Sequence, residues 1–195
     1  LVHYWGLDGN SVDAITGLPS TDADVTYPVG KVGSGCASFN GTTSSIKATV
    51  AQPTGSAPFS VSFWFYKTSA ATQVMFFRGA ASGQARIEIF HLTDGGVYAG
   101  NGGLSPWIVP GVALNAWHHV VFTYATASVG ALYVDNGAPA TATMLLDLNP
   151  ALLNLGQGIS IYQLAGQIDE VGVWNRALTA TEAAQLYNSG VGRKP

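Results

Sequence analysis

The chain has three glutamates, Glu88, Glu170 and Glu182, and glycosidic bond cleavage is the first chemistry to hold against them. That reaction needs two carboxyl groups flanking the scissile bond, one acting as acid and the other as base or nucleophile. Carboxylates two or four residues apart on a strand share a face and can converge on one substrate. Glu88, in Arg86-Ile-Glu-Ile-Phe90, has no carboxylate at either spacing. Asp169 and Glu170 are adjacent, so a regular strand points them to opposite faces. Glu182 follows Thr179 by three residues, the spacing of a capping box. Glu88 with Asp94 is the one carboxylate pair left to measure. His118 and His119 are strand neighbours that cannot easily share one ion, and neither a His-Glu-x-x-His nor a Gly-x-Ser-x-Gly motif is present. Cys36 is the only cysteine, so no internal disulfide forms. Its setting, Gly35-Cys-Ala-Ser-Phe39, reads as a small core residue on a strand rather than a nucleophile. These residues predict no catalytic centre.

Recognition asks for less than catalysis. Sugars are held by aromatic faces, with amides and carboxylates reaching their hydroxyls. The stretch from Asp94 to Trp107, rich in Gly and Ser, reads as a long loop or loose hairpin. Its Tyr98, Asn101 and Trp107, together with His91 and Asp94 at its start, are the candidate ligand-binding residues. A Trp in such a loop is more often exposed than one inside a strand; the competing reading packs Trp107 back against the rim of the domain as a loop anchor. Trp5, Trp64, Trp117 and Trp174 lie in strand patterns and read as core. One of His118 and His119 is expected to be buried and hydrogen-bonded.

The elements that must position these residues are strands. Phe59-Ser-Val-Ser-Phe-Trp-Phe-Tyr66 puts Phe59, Val61, Phe63 and Phe65 on one face and Trp64 and Tyr66 on the other, with Ser60 and Ser62. Residues 85–90, 117–124, 131–135, 152–155 and 159–162 are further strand candidates. Asp135-Asn-Gly137 predicts a type I′ hairpin turn through Asn136 and Gly137. Only residues 179–189 read as a helix, with Gly190 supplying the left-handed residue that stops it. With 195 residues, no repeat and no linker, the chain predicts a single domain over 1–195. Charged residues make up 10% of it, well below the roughly 25% of ordinary soluble domains. The surface must therefore be built from uncharged polar groups, which suits extracellular, cell-surface or virion settings. A net charge of −3 with eight scattered basic residues argues against nucleic acid. No apolar run approaches the roughly 18 residues of a membrane span. The start at Leu1, without a Met, reads as an excised piece or a processed product.

Five segments in order carry a family resemblance: Tyr4-Trp-Gly-Leu-Asp-Gly-Asn10, Gly30-Lys-Val-Gly-Ser-Gly-Cys-Ala-Ser-Phe-Asn-Gly41, Phe59-Ser-Val-Ser-Phe-Trp64, Trp117-His-His-Val with Leu132-Tyr-Val-Asp-Asn-Gly137, and Ile168-Asp-Glu-Val…Trp174-Asn-Arg-Ala-Leu-Thr. Together they resemble the laminin-G-like domains of the concanavalin A-like lectin/glucanase superfamily. The resemblance implies an all-β fold, a jelly-roll β-sandwich of two antiparallel sheets with one short C-terminal helix. It also implies a structural Ca2+ tying the first strand to the last, with Asp8, the Asn40-Gly41 turn and Asp169 at the ligand positions. The paired-carboxylate motif of the glucanase branch, Glu-x-Asp-x-Glu, is missing. Arg86-x-Glu88 with His91 is superficially like the clusters of jelly-roll polysaccharide lyases, whose Gln-Ile-His and Tyr-x-Lys motifs are also missing. The expectation is a non-catalytic binding or adhesion module for a glycan or surface receptor, with neighbouring domains or subunits of a larger assembly. The alternative is a structural or decoration domain of a virion or cell-surface assembly, without a sugar site. Joint exposure of Tyr98 and Trp107 is the discriminator.

Overall fold

Alternating apolar residues become strands here because each strand offers one face to a shared core. The computed structural model describes residues 1–51, 53–80, 85–101, 103–148, 152–158 and 162–195. Among these, the first sheet runs β1 (His3–Trp5), β14 (Ala165–Trp174), β5 (Phe59–Lys67), β10 (Trp117–Tyr124), β11 (Val129–Val134) and β12 (Ala140–Thr143), with β3 (Ala37–Asn40) paired to the other half of β14. The second runs β2 (Thr21–Ala23), β4 (Ser45–Thr49), β13 (Leu152–Leu155), β6 (Gln73–Gly79), β7 (Arg86–His91), β8 (Val97–Gly100) and β9 (Trp107–Val109). Every ladder among the described residues is antiparallel. The two sheets pack into the jelly-roll sandwich that the resemblance implies. Phe59, Val61, Phe63 and Phe65 of β5 meet Phe76, Ile87, Ile89 and Leu153 of the second sheet in one apolar cluster. Cys36 is buried near that cluster, and burial pushes its thiol up to about 12, so it is not a nucleophile at neutral pH.

The outer face of the first sheet carries the helix. Ser60, Ser62 and Trp64 point away from the core, as alternation requires. Ser60 Oγ holds the approach to α1 (Ala180–Tyr187), donating to the Arg176 carbonyl at 3.0 Å and accepting from the Leu178 amide at 2.8 Å. Leu178, Ala183 and Leu186 then bury against Val121 and Trp174. The capping box forms as predicted: Thr179 Oγ1 accepts from the Glu182 amide, and the Glu182 carboxylate accepts from the Thr179 amide. The helix ends earlier than expected, because Asn188 (φ 48°) takes the left-handed position and Gly190 (φ 84°) follows in the turn beyond. His119 is the buried histidine of its pair, with Nε2 2.9 Å from Ser62 Oγ and its ring 4.9 Å from Trp64.

Two other local readings shift. The hairpin after β11 turns on Asp135 (φ 52°) and Asn136 (φ 57°), closed by the Gly137 amide on the Val134 carbonyl at 2.9 Å. The I′ turn is thus one residue earlier than Asn136-Gly137, and Asp135 is freed to accept from the His119 amide and meet His118 Nδ1 at 2.6 Å. Residues 152–155 form β13 as predicted, whereas 159–161 of the proposed 159–162 strand lie outside the described residues, and Tyr162 has φ 69°.

Candidate functional site

On the second sheet, register and alternation place a polar and aromatic surface opposite the core. Ile87, Ile89, Val97 and Ala99 face inward, so Glu88, Phe90 and Tyr98 face out. Pairing aligns them in rows: Asn154, Phe77, Glu88 and Gly100 in one, Val74, Phe90, Tyr98 and Ile108 in the next. Phe90 and Tyr98 stack with centroids 5.7 Å apart and planes at 14°. Tyr98 is fixed by its hydroxyl, which donates to Asp94 at 2.5 Å. Gly100 is what gives this face a wall. A Cβ there would sit 2.1 Å from the Leu104 carbonyl oxygen, so only glycine lets residues 104–105 fold back across the sheet. The result is a groove of about 250 Å3 lined by Thr72, Val74, Glu88, Phe90, Leu92, Gly103, Ser105 and Tyr162. Glu88 is only 9% exposed in it. Burial raises its carboxyl pKa, while Arg86, whose Nε lies 3.6 Å away, pulls it back down.

The five residues predicted for ligand binding do not form one site. Trp107 is 0% exposed, which removes it from the candidate ligand-binding residues and agrees with the competing, packed reading. Of the two readings of this stretch, long loop or loose hairpin, the structure has the second: β8 pairs antiparallel with β9, and β9 carries the indole into the core, edge-on to Phe122 at 4.9 Å, with Nε1 donating to the Ala142 carbonyl. Gly130 makes the room, since a Cβ there would lie 2.5 Å from the indole ring. His91 also points inward, its Nε2 3.1 Å from the Val112 carbonyl and its Nδ1 3.3 Å from the buried Lys67 ammonium. Burial holds that lysine down at about 8. Asn101 caps its own turn, accepting from the Gly103 and Leu104 amides. Tyr98 and Asp94 remain on the outer face, with Asp94 in the turn after β7, so it orients Tyr98 rather than pairing with Glu88. Phe90, Tyr162 and Ser105, which line this groove with Glu88, were not among the candidates read from the sequence. The alternation Arg86-x-Glu88-x-Phe90 is a local signal for Glu88 and Phe90, a strand with charge and an aromatic on one face, whereas Ser105 and Tyr162 have none.

A second polar cluster lies where β14 changes partner. Its neighbour is β3 up to Ile168 and β1 from Val171. Between them, one extra residue opens a bulge, with Asp169 opposite Trp64, Gly172 opposite Ser62 and Glu170 at φ 54°. The bulge removes the strict alternation expected of Asp169 and Glu170, and both are buried. The 30–35 loop ties Asp169 to Asp8: the Lys31 and Val32 amides donate to Asp169 Oδ2 at 2.8 and 2.9 Å, and the Ser34 and Gly35 amides to Asp8 Oδ1 at 2.6 and 2.8 Å. Glu170 Oε2 accepts from the Tyr4 hydroxyl at 2.7 Å, and Lys194 Nζ lies 2.9 Å from Asp8 Oδ2. Burial works to raise Asp8, but Lys194 and the loop amides outweigh it and hold it at about 2. Burial, with the Glu170 charge adding, pushes Asp169 up to about 7 against the pull of the amides. Asp169 Oδ1 and Glu170 Oε1 are buried without a hydrogen-bond partner.

Those two orphaned oxygens fit a hard cation, which takes carboxylate, carbonyl and water oxygens. Asn40 and Gly41 do not belong with them. Asn40 sits opposite Ala165, four residues along β14 from Asp169, and its Oδ1 accepts from the Thr42, Thr43 and Ser44 amides. Gly41 packs on Ala165. Among the described residues no three His, Cys, Asp or Glu side chains converge as a ligand set, so carbonyls and water would complete any coordination.

Known proteins place this architecture. A laminin G family model, described as the concanavalin A-like lectin/glucanases superfamily, matches residues 40–184. Domain 4 of AbnA, a GH43 extracellular arabinanase from Geobacillus stearothermophilus, solved in complex with arabinotriose, superposes with a TM-score of 0.76 at 19% identity, over 99% of this chain and 98% of that one. The binding domain of Paraclostridial Mosquitocidal Protein 1 gives 0.76 at 17% identity, over 97% of this chain and 52% of that one. A heptameric SAP-like pentraxin from Limulus polyphemus gives 0.64 at 18% identity, over 81% and 83%. No curated protein matches the sequence. Identities this low speak for the fold alone, while the family match spans most of the chain, and on that ground the chain belongs to the concanavalin A-like lectin/glucanase superfamily.

Proposed function

We propose that this domain is a carbohydrate-binding module and that the groove on the outer face of the second sheet is its site. The observation that carries the reading is Glu88, a nearly buried carboxylate at the base of a groove edged by Phe90 and by the half-exposed Tyr162. A sugar ring offers an apolar face to such aromatics and hydroxyls to such a carboxylate. Thr72 and Ser105 add hydroxyl partners. The Glu88 carboxylate in the groove disfavours an acidic sugar, so the ligand class is a neutral oligosaccharide. Arabinotriose in the arabinanase domain supports that class. We read the module as non-catalytic, because Glu88 has no second carboxylate beside it among the described residues of the groove. The sparse charge of the chain and the extracellular arabinanase neighbour support a secreted or surface setting.

A glycan array in millimolar Ca2+, repeated in chelator, tests this reading. Neutral glycans should bind, and Phe90→Ala should weaken them about tenfold, the roughly 1–1.5 kcal/mol of an aromatic contact. Glu88→Gln should weaken them by at least as much, because a charged acceptor is lost. Binding unchanged in both folded variants would refute the groove. A blank array with folded protein would favour a structural domain of a larger assembly. The same reading puts a Ca2+ ion at Asp169 Oδ1 and Glu170 Oε1, supported by their burial without partners. Calcium should then raise Tm, and Asp169→Asn should abolish the increase; no rise in the parent protein would remove the ion.

A further inference from the structure

Resting on that cation reading, we propose that Lys194 is a built-in counter-cation of the Asp8–Asp169–Glu170 cluster, and that its ammonium competes with a divalent ion for the same negative charge. The geometry comes from two contacts made by the segment after α1. Lys194 Nζ lies 2.9 Å from Asp8 Oδ2, with the lysine side chain 54% exposed. Gly192 packs so closely that a Cβ on it would lie 2.5 Å from Val32 and 3.0 Å from Trp64 Nε1. Val32 belongs to the loop whose amides hold Asp169, and Lys31 of the same loop sets its ammonium 4.9 Å from the Trp64 ring centre. One loop therefore links the carboxylates to the segment that delivers Lys194.

The chemistry follows from charge. Among the described residues, Asp8, Asp169 and Glu170 do not converge as one ligand set, but their charges act on one another and on Lys194, and Asp169 Oδ1 and Glu170 Oε1 have no hydrogen-bond partner. A single positive charge held nearby offsets part of that field, and a divalent ion offsets more of it. The two cations repel one another, so each weakens the other's hold. The Lys194 side chain is 54% exposed, and an exposed ion pair is worth little. It can yield to the ion without unfolding anything, which makes it a modulator of affinity rather than a plug.

Calcium titration calorimetry on the whole 195-residue chain, in low salt at pH 7.5, tests the competition. The variants are Lys194→Met, which keeps the length and removes the charge, and Lys194→Arg, which keeps the charge. Lys194→Met should tighten Kd about three- to tenfold, the gap should narrow in roughly 0.5 M salt as screening rises, and Lys194→Arg should stay near the parent value. A Lys194→Met affinity equal to or weaker than the parent, with calcium still bound, overturns the role of Lys194 and leaves the ion site standing. Absence of calcium binding in both proteins overturns the ion site, and the competition with it. A gain that persists unchanged in high salt also overturns the proposal, because a packing effect would not be screened.

Discussion

Lowering the pH should remove the stability that His119 contributes while its imidazole is neutral in the fold. His119 lies under α1 with its ring 4.9 Å from Trp64 and 6.1 Å from Tyr187, and Nε2 is 2.9 Å from Ser62 Oγ. Burial drives its imidazole down to about 4, with Asp135 pulling weakly the other way. An unfolded histidine titrates near 6.5. Between those values the unfolded chain takes a proton that the folded one refuses, so the His119 contribution falls as pH falls. The span of about 2.5 units, at 1.36 kcal/mol each, sets a loss of about 3 kcal/mol by pH 4. Urea denaturation from pH 7.5 to 4.5 reads it out, with Trp fluorescence as probe. His119→Gln keeps an amide for Ser62 and removes the titration. The variant should start less stable, because the ring contacts are lost, yet its stability should fall less steeply with acid. His91, also lowered by burial, and Asp169, raised to about 7 and so gaining stability as pH falls, act on both proteins and cancel in the difference. Parallel pH profiles would refute the assignment of this acid sensitivity to His119.

The remaining predictions concern packing. Trp107→Ala should cost about 3–5 kcal/mol by urea titration, and glycan affinity of its folded fraction should be unchanged, because the indole is in the core. Gly130→Ala should cost about 1–3 kcal/mol, as its Cβ would press the same indole; an unperturbed Tm would show that Trp107 is not held over Gly130. Thr179→Ala should remove about 1 kcal/mol through loss of the cap on α1, seen as a lower denaturation midpoint without a change in slope.

What the sequence revealed follows the distance over which each feature is determined. β5 was legible because four apolar residues alternate within it, and that periodicity is local. The capping box was legible for the same reason, since Thr179 and Glu182 answer each other across a single turn. The hairpin after β11 was legible to within one residue. Asn136 and Gly137 both tolerate positive φ, but so does Asp135, and its link to the His119 amide settles the register. Asp8 and Asp169 were brought together by the resemblance alone, and the 30–35 loop that joins them lies in the Gly30–Gly41 segment that carried part of it, with nothing there to show that its amides hold both carboxylates.

Trp107 and Glu170 escaped because their environments are set by distant chain. A Gly- and Ser-rich neighbourhood reads as exposed loop, yet the place of the indole is decided by Gly130 on β11, where a missing Cβ leaves a slot for it. Nothing between residues 94 and 107 encodes that slot. The bulge at Glu170 likewise depends on β14 trading β3 for β1 as its neighbour, a change that no window around Asp169 contains. The groove lies between these extremes. Arg86, Glu88 and Phe90 declare a polar and aromatic outer face by local alternation, but the wall that turns this face into a site comes from residues 104–105 crossing Gly100. Binding residues on a sheet are therefore better sought by asking which strand faces a crossing loop can cover than by asking which loops hold aromatics. In this chain the first question leads to Glu88 and Phe90, and the second to a tryptophan of the core.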